Sequence, residues 1–215
     1  MSQSKMMLEK FERAKAKRTS FESLFDECYE YALPMRQGFY YEANGQRRDD
    51  KIFDETAVVG VQEFASRLQS GLVPNFARWA DLVAGSEVPE EQRDQVNNQL
   101  DEVTEYVFEV LQSSNFGQEV HESFMDLAVG TGVLLVEEGD AVNPVRFNAI
   151  PLPTVVLDTG PDDKIDHVFR ERKLKNIDIP IAFERANISA RLARAIETQP
   201  QAECAILEVV CKNYE

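Results

Sequence analysis

Four aspartates crowd one short stretch of this 215-residue chain: Asp158, Asp162, Asp163 and Asp166. Hard divalent cations such as magnesium take several oxygens from a short loop, so the cluster is a candidate metal site for a hydrolase or nuclease. The run Asp158-Thr159-Gly160-Pro161-Asp162-Asp163 is equally the composition of a hairpin turn. There Asp supplies hydrogen bonds to nearby backbone and Gly supplies positive φ. Turn chemistry alone explains each of these residues, and it is the reading adopted. Gly130-Thr131-Gly132 invites comparison with a phosphate loop. It follows a helical pattern and precedes a strand pattern, the reverse of what a phosphate cradle needs, and no Gly-Lys-Ser or Gly-Lys-Thr occurs in the chain. His121 and His167 are the only histidines, and neither has a second ligand at metal-binding spacing. His121, one turn before Met125, reads as helix packing, and His167 as part of a strand. Trp79 with Phe76 could stack on bases, yet beside Leu82 and Val83 the pair reads as core. Cys28, Cys204 and Cys211 are odd in number and irregular in spacing, which describes free or buried thiols. No catalytic residue, metal ligand or cofactor is assigned on these grounds.

The elements that must position these residues are legible in the periodicity. Residues 1 to 138 read mostly as helix. Thr19-Ser20-Phe21-Glu22 is a capping box that predicts a helix start. Phe21, Leu24, Phe25, Cys28, Tyr29 and Ala32 then recur at helical steps up to Leu33-Pro34, where the proline ring stops the pattern. Residues 35 to 50 read as an exposed loop. Asp54 is placed to cap a helix through Val58, Val61, Ala65, Leu68 and Leu72, ended by Gly71 and Pro74. Phe76 to Val83 reads as a short strand around Trp79. Past Pro89 the longest helix is expected, with Val96, Leu100, Val103, Val107, Val110 and Leu111 on a core face. Asp94, Asp101, Glu102, Glu105 and Glu109 form a carboxylate stripe opposite. Asn115 and Gln118 make a second capping-box signal before Val120, Phe124, Leu127 and Ala128, with Gly130 closing the turn. After that the period shortens. Val133–Val136, Val145–Ile150, Thr154–Leu157, Ile165–Phe169 and Ile206–Val210 read as strands, and Pro180–Glu197 as one more helix with Ile181, Ile188, Leu192 and Ile196 inward. The fold class expected is therefore α+β, with a helical region over 1–138 and a small, mostly antiparallel β-rich region over 139–215 carrying one helix.

Charge narrows the function classes. Lys and Arg total 23 against 38 Asp and Glu, a net charge of -15. That argues against a free-standing nucleic-acid grip, which needs a dense basic surface to displace counterions. The acid is uneven: residues 79 to 144 hold 15 acids and 1 base. Lys5, Lys10, Arg13, Lys15, Lys17 and Arg18 make the N-terminal arm locally basic, a pattern that reads first as a solvated helix end. At 43% hydrophobic the chain can fill a core. No stretch approaches the length of a membrane span and the N-terminus has no apolar signal core, so a cytosol-like compartment of synthesis is expected.

Several landmarks fall in a recognisable order. Pro34-Met35-Arg36 ends an early helix, Ile52-Phe53-Asp54-Glu55-Thr56-Ala57 opens the next, and Leu68-Gln69-Ser70-Gly71-Leu72-Val73-Pro74 closes it. Arg78-Trp79-Ala80-Asp81-Leu82, Ser114-Asn115-Phe116 and Asp126-Leu127-Ala128-Val129-Gly130-Thr131-Gly132 follow. Over residues 20 to 172 this order resembles the N-terminal part of the head-to-tail connecting, or portal, protein of short-tailed bacteriophages. The motif positions are Arg36, Asp54, Thr56, Pro74, Trp79, Asn115, Phe116, Gly130 and Gly132. The chain departs from the family at Asn75 and Ala80, where a second proline and a second aromatic are common. Family members are longer, so the β-rich region is expected to be incomplete at its C-terminus.

The resemblance implies a wing-like α+β fold in a noncatalytic part of the virion, assembled in the bacterial host cytoplasm. It implies a ring of about twelve subunits at one capsid vertex, in the closed symmetry usual for oligomers. Capsid protein, a separate terminase ATPase and tail or adaptor proteins are the implied partners. Double-stranded DNA would pass through the channel without sequence recognition during packaging and ejection. An acidic lining suits such a conduit, because like charge keeps DNA from sticking. Two other classes fit parts of the sequence: a metal-dependent hydrolase built on the Asp158–Asp166 cluster, and an acidic adaptor that uses the Asp101, Glu102, Glu105 and Glu109 stripe against a basic partner.

Overall fold

The computed structural model describes residues 3–36, 38–39 and 52–212. Four helices come first: α1 (Gln3–Ala32), α2 (Thr56–Leu72), α3 (Glu90–Ser113) and α4 (Phe116–Val129). Strands β1 (Leu134–Glu138) and β2 (Val145–Ala149) form one antiparallel pair, with Val136 opposite Phe147. Strands β3 (Val155–Thr159), β4 (Ile165–Lys175) and β5 (Glu203–Cys211) form a three-stranded antiparallel sheet in that order. Between β4 and β5 lie α5 (Ile179–Ala182) and α6 (Ala190–Thr198). The α+β class is as the periodicity predicts. Contacts divide the chain differently from a split at residue 138: residues up to Ser20 group with those from Thr154 onward, and residues 21–153 form the other unit. Helix α1 contributes to both.

In the first unit, α1 lies on the β3–β4–β5 sheet. Phe11 and Ala14 pack with Val156 and Phe169 in a buried cluster, flanked by Leu207 and Val209. The Phe11 and Phe169 rings are 5.7 Å apart. The basic arm is bonded to the sheet and not merely solvated: Lys15 pairs with Glu171 at 2.8 Å, Lys17 with Asp158 at 3.1 Å, and Arg18 donates to the Val155 carbonyl at 2.6 Å. These bonds explain why the helix does not begin at Thr19. The Thr19 hydroxyl donates to the Lys15 carbonyl and that of Ser20 to the Lys17 carbonyl, both at 2.9 Å, which satisfies them in mid-helix. Tertiary bonds override the local capping signal, and α1, at 30 residues, is longer than the 24-residue α3.

In the second unit, Tyr29 and Leu33 of α1 bury against Leu152, with Val61, Met125 and Val129 around them. Helix α2 begins two residues after Asp54, and its N-cap is Glu55, which makes no side-chain cap bond; Asp54 stands one residue further out, where its Oδ1 accepts from the Thr56 backbone N–H at 2.7 Å and from the Thr56 hydroxyl. The hydroxyl bond, then the backbone bond, holds the Asp54 carboxyl below the usual carboxylate range. Phe76 to Val83 is not a strand. Leu82 within it donates to Thr104 Oγ1 at 3.3 Å, and Ala84 just after it to Asn97 Oδ1 at 2.8 Å, so side chains of α3 stand in for a neighbouring strand. Those bonds turn α3 about its axis. Thr104 and Phe108 are its buried residues, while Val103 and Val107 are exposed. Helix α4 buries Val120, Ser123 and Asp126 and leaves Leu127, expected inward, exposed.

The expected helix over 180–197 is two helices. Ser189 caps α6 by accepting from the Leu192 N–H at 3.3 Å, and Ile181 is exposed in place of facing inward. Five of the expected strands are present, β4 extending six residues past Phe169. The loop expected over 35 to 50 falls largely outside the described residues.

Candidate functional site

Arg36 closes a buried ionic network in the 21–153 unit. Helix α4 presents Asp126, only 1% exposed, and its Oδ1 accepts from the Tyr29 hydroxyl at 2.6 Å and the Arg36 guanidinium at 2.5 Å. Its Oδ2 accepts from the Leu152 N–H at 3.4 Å. The guanidinium also donates to the Glu122 carbonyl at 3.0 Å and pairs with the Glu122 carboxylate. Burial, and then the charge and hydrogen bond of Asp126, push the Tyr29 phenol far up from its ordinary range. With all of its bonds made inside the chain, Asp126 is a brace between α1, α4 and the Leu152 turn. Sequence reasoning missed Glu122 and Asp126 as partners of Arg36, and Tyr29 as a partner of Asp126. The available signal was an Asp three residues after Ser123 and six after Val120, on the inward face of α4.

Four motif positions gather at one cleft of about 250 Å³, lined by Pro74, Trp79, Asn115 and Phe116 together with Phe76 and Phe108. Trp79 stacks on Phe116 with ring centroids 6.1 Å apart and meets Phe108 edge-on at 5.4 Å. Phe116 meets Phe147 edge-on at 5.0 Å. Asn115 precedes α4 as expected, but its side chain does not cap the helix. It donates through Nδ2 to the Phe147 carbonyl at 2.7 Å and accepts from the Phe147 N–H at 3.0 Å, as a neighbouring strand would. Phe76 is 92% and Trp79 40% exposed, so neither of the pair read as core is buried; Trp79 is held by its ring contacts with Phe108 and Phe116. Behind the cleft, Gln69 donates to the Gly117 carbonyl at 2.7 Å and accepts from His121 Nδ1 at 3.0 Å.

The remaining motif positions serve backbone geometry elsewhere. A Cβ on Gly132 would sit 2.5 Å from the Ser123 carbonyl oxygen, and one on Gly130 would touch Leu152 and Phe25 at 3.3 to 3.4 Å. The Gly130-Thr131-Gly132 segment joins α4 to β1 and is a helix-to-strand turn. Asp54 and Thr56 start α2 and do not line the cleft.

The aspartate cluster forms the β3–β4 turn. Gly160 donates to the Lys164 carbonyl at 2.9 Å, and Asp163 adopts φ 54°. Asp158 pairs with Lys17 at 3.1 Å, and Asp166 accepts from His167 Nδ1 at 2.7 Å while Lys10 Nζ meets His167 Nε2 at 3.0 Å. Two of the four carboxylates, those of Asp158 and Asp166, are thus engaged by Lys17 and His167. Among the described residues no group of three His, Cys, Asp or Glu is arranged to hold a metal ion. The three cysteines are free. No described helix is long and apolar enough to cross a membrane.

On α3, Asp101 is taken by Arg78 at 2.5 Å, and Asp81 pairs with the same guanidinium. The Asp101 bond is the first cause holding Arg78 above its ordinary range. Glu102, Glu105 and Glu109 are exposed and make no ion pair among the described residues. Val103, Tyr106 and Val107 lie exposed on the same helix.

Among the described residues this architecture holds no assembled metal-ligand set. It is braced internally and carries apolar and acidic side chains outward. A search of curated proteins found no match. The family described as bacteriophage head to tail connecting protein matches residues 4–215, beyond the 20–172 stretch that carries the motifs on both sides. The match spans nearly the whole chain, and the chain belongs to the bacteriophage head to tail connecting protein family.

Proposed function

We propose that this chain is a portal subunit: copies close into a ring of about twelve at one capsid vertex, in the cyclic symmetry that repeated head-to-tail contacts generate. The match to the connecting-protein family across residues 4–215 carries this reading. The outward-facing apolar residues support it. Phe53 and Met35 are almost entirely exposed, and Phe64, Leu72, Tyr106 and Leu127 are exposed on the helices of one unit. Neighbouring subunits of a ring would cover such side chains.

In this role the ring conducts double-stranded DNA into the capsid during packaging and out during ejection, without reading its sequence. Capsid protein, terminase and tail proteins dock on it, and terminase supplies the energy from ATP. The acidic surface, at a net charge of -15, keeps DNA from adhering. The subunit assembles in the host cytoplasm and remains in the virion. The role needs no cofactor and no catalysis.

Light scattering on the complete subunit tests the ring. The expected result is one high-mass species, and a monomer or a twofold dimer at assembly concentrations overturns it. Magnesium-dependent DNA cleavage that is abolished by Asp162→Asn plus Asp163→Asn would instead establish the hydrolase.

A further inference from the structure

The outer faces of α3 and α6 are opposite in charge and exposed. On α3 the buried residues are Thr104 and Phe108. Turning from them at 3.6 residues per turn, Val107 and Val103 fall on one flank, Glu105 and Glu109 on the other, and Glu102 and Tyr106 outermost. Tyr106 is 63% exposed. On α6 no residue is fully buried; Leu192, Ala195 and Ile196 are half-covered, and Arg191 and Arg194 are exposed. Arg185, just before α6, is exposed as well, and beside it Ile181 of α5 presents an apolar side chain. Among the described residues these three arginines make no ion pair. Glu184 and Glu197 are the acids of the same segment.

We propose that α3 of one copy docks against α6 of the next copy, with Glu102 and Glu105 facing Arg191 and Arg194 and Tyr106 covering apolar surface between them. The proposal rests on the ring reading and gives it an interface. Three features favour it. The paired glutamates and the paired arginines are each three residues apart on a helix, a rise of about 4.5 Å, so the two charge pairs are in register. The exposed valines and Tyr106 beside the acids suit a protein partner and give a DNA-facing wall nothing, since interface cores are rich in aromatic side chains. The chain carries both halves of the contact on different patches, which is the heterologous arrangement that closes rings.

Two charge-reversed versions of the complete subunit test this: Glu102→Arg with Glu105→Arg, and Arg191→Glu with Arg194→Glu. Alone, each places like charges across every interface, and its association should weaken by at least about tenfold, since like-charge juxtaposition is strongly unfavourable. Mixed in equal amounts, the two alternate around the ring, every interface again joins opposite charges, and assembly returns. Recovery on mixing also shows that both variants fold. Assembly of either variant alone at the parent's concentration overturns this interface, whether or not DNA passage changes. Failure of the mixture to assemble overturns it too. If the parent subunit itself never assembles, the ring reading falls, and this interface with it.

Discussion

The Tyr29 hydroxyl donates a 2.6 Å hydrogen bond to Asp126, a residue 97 positions further along the chain, and both side chains are fully buried. The bond fastens the end of α1 to α4, and Arg36 neutralises the same carboxylate. Removing Asp126 leaves the buried Tyr29 hydroxyl without its acceptor, while Arg36 keeps the Glu122 carboxylate, so the loss is that of unsatisfied buried groups, about 1–3 kcal/mol. Asp126→Ala is therefore expected to lower urea-denaturation stability by that amount, and Tyr29→Phe by about 1 to 3 kcal/mol for the acceptor left without its donor. The raised Tyr29 pKa adds a pH signature. The neutral phenol is the folded form, so its contribution is complete below the ordinary tyrosine range and is lost as pH rises above about 10. Tyr29→Phe should flatten that alkaline limb. An unchanged midpoint in Asp126→Ala would show that the brace carries no stability.

Asp54, one residue before the N-cap Glu55, holds the first N–H of α2, and its pKa is lowered by the two bonds to Thr56. A depressed folded-state pKa gives stability that is present above the ordinary carboxylate range and lost as pH falls through the folded value. Asp54→Ala should lower stability at neutral pH and by progressively less in acid. Equal losses at pH 7 and pH 2.5 in thermal melts would contradict this role.

Two glycine substitutions should move stability in opposite directions. Gly60 lies within α2 with nothing within 4 Å of an added Cβ, so Gly60→Ala should raise stability by about 0.5–1 kcal/mol through helix propensity. Gly132→Ala drives a methyl group to 2.5 Å from the Ser123 carbonyl oxygen and should cost about 1–3 kcal/mol, as overpacking does. Thermal denaturation of the two variants side by side checks both.

Glu102, Glu105 and Glu109 repel one another along α3, and each such pair costs an isolated helix about 0.2–0.5 kcal/mol. Replacing all three with glutamine should leave the unassembled subunit equally or slightly more stable while weakening its assembly. A triple variant that assembles, packages and ejects DNA like the parent, and keeps every partner, would reduce the stripe to plain surface.

What the sequence made legible follows how local each signal is. Asp54 and Pro74 bracket α2 correctly, and Gly130 ends α4, because caps and breakers act within a turn or two. The alternating runs give β1 to β5, and the segment from Asp158 to Asp163 gives the β3–β4 turn. Thr19 misled, since bonds from Lys15, Lys17 and Arg18 to the sheet hold α1 helical across the capping box. Phe76–Val83 looked like a strand because the partners that Leu82 and the following Ala84 meet, Thr104 and Asn97, are side chains of a helix. The same two bonds rotate α3, so Val103 and Val107, apparent core residues, are exposed. Of the site, the motif order pointed to Pro74, Trp79, Asn115 and Phe116, but nothing in their spacing reveals that they line one cleft. Nor could spacing reveal Asp126, whose partners come from α1, the segment after it and the Leu152 turn.

The most direct test of the account is electron microscopy of particles formed by the complete subunit, with rotational symmetry determined without imposing it. The account predicts a closed ring with a single rotational axis and a central channel, each copy presenting α3 toward α6 of the next. Particles that are monomers, twofold dimers or open filaments would contradict it.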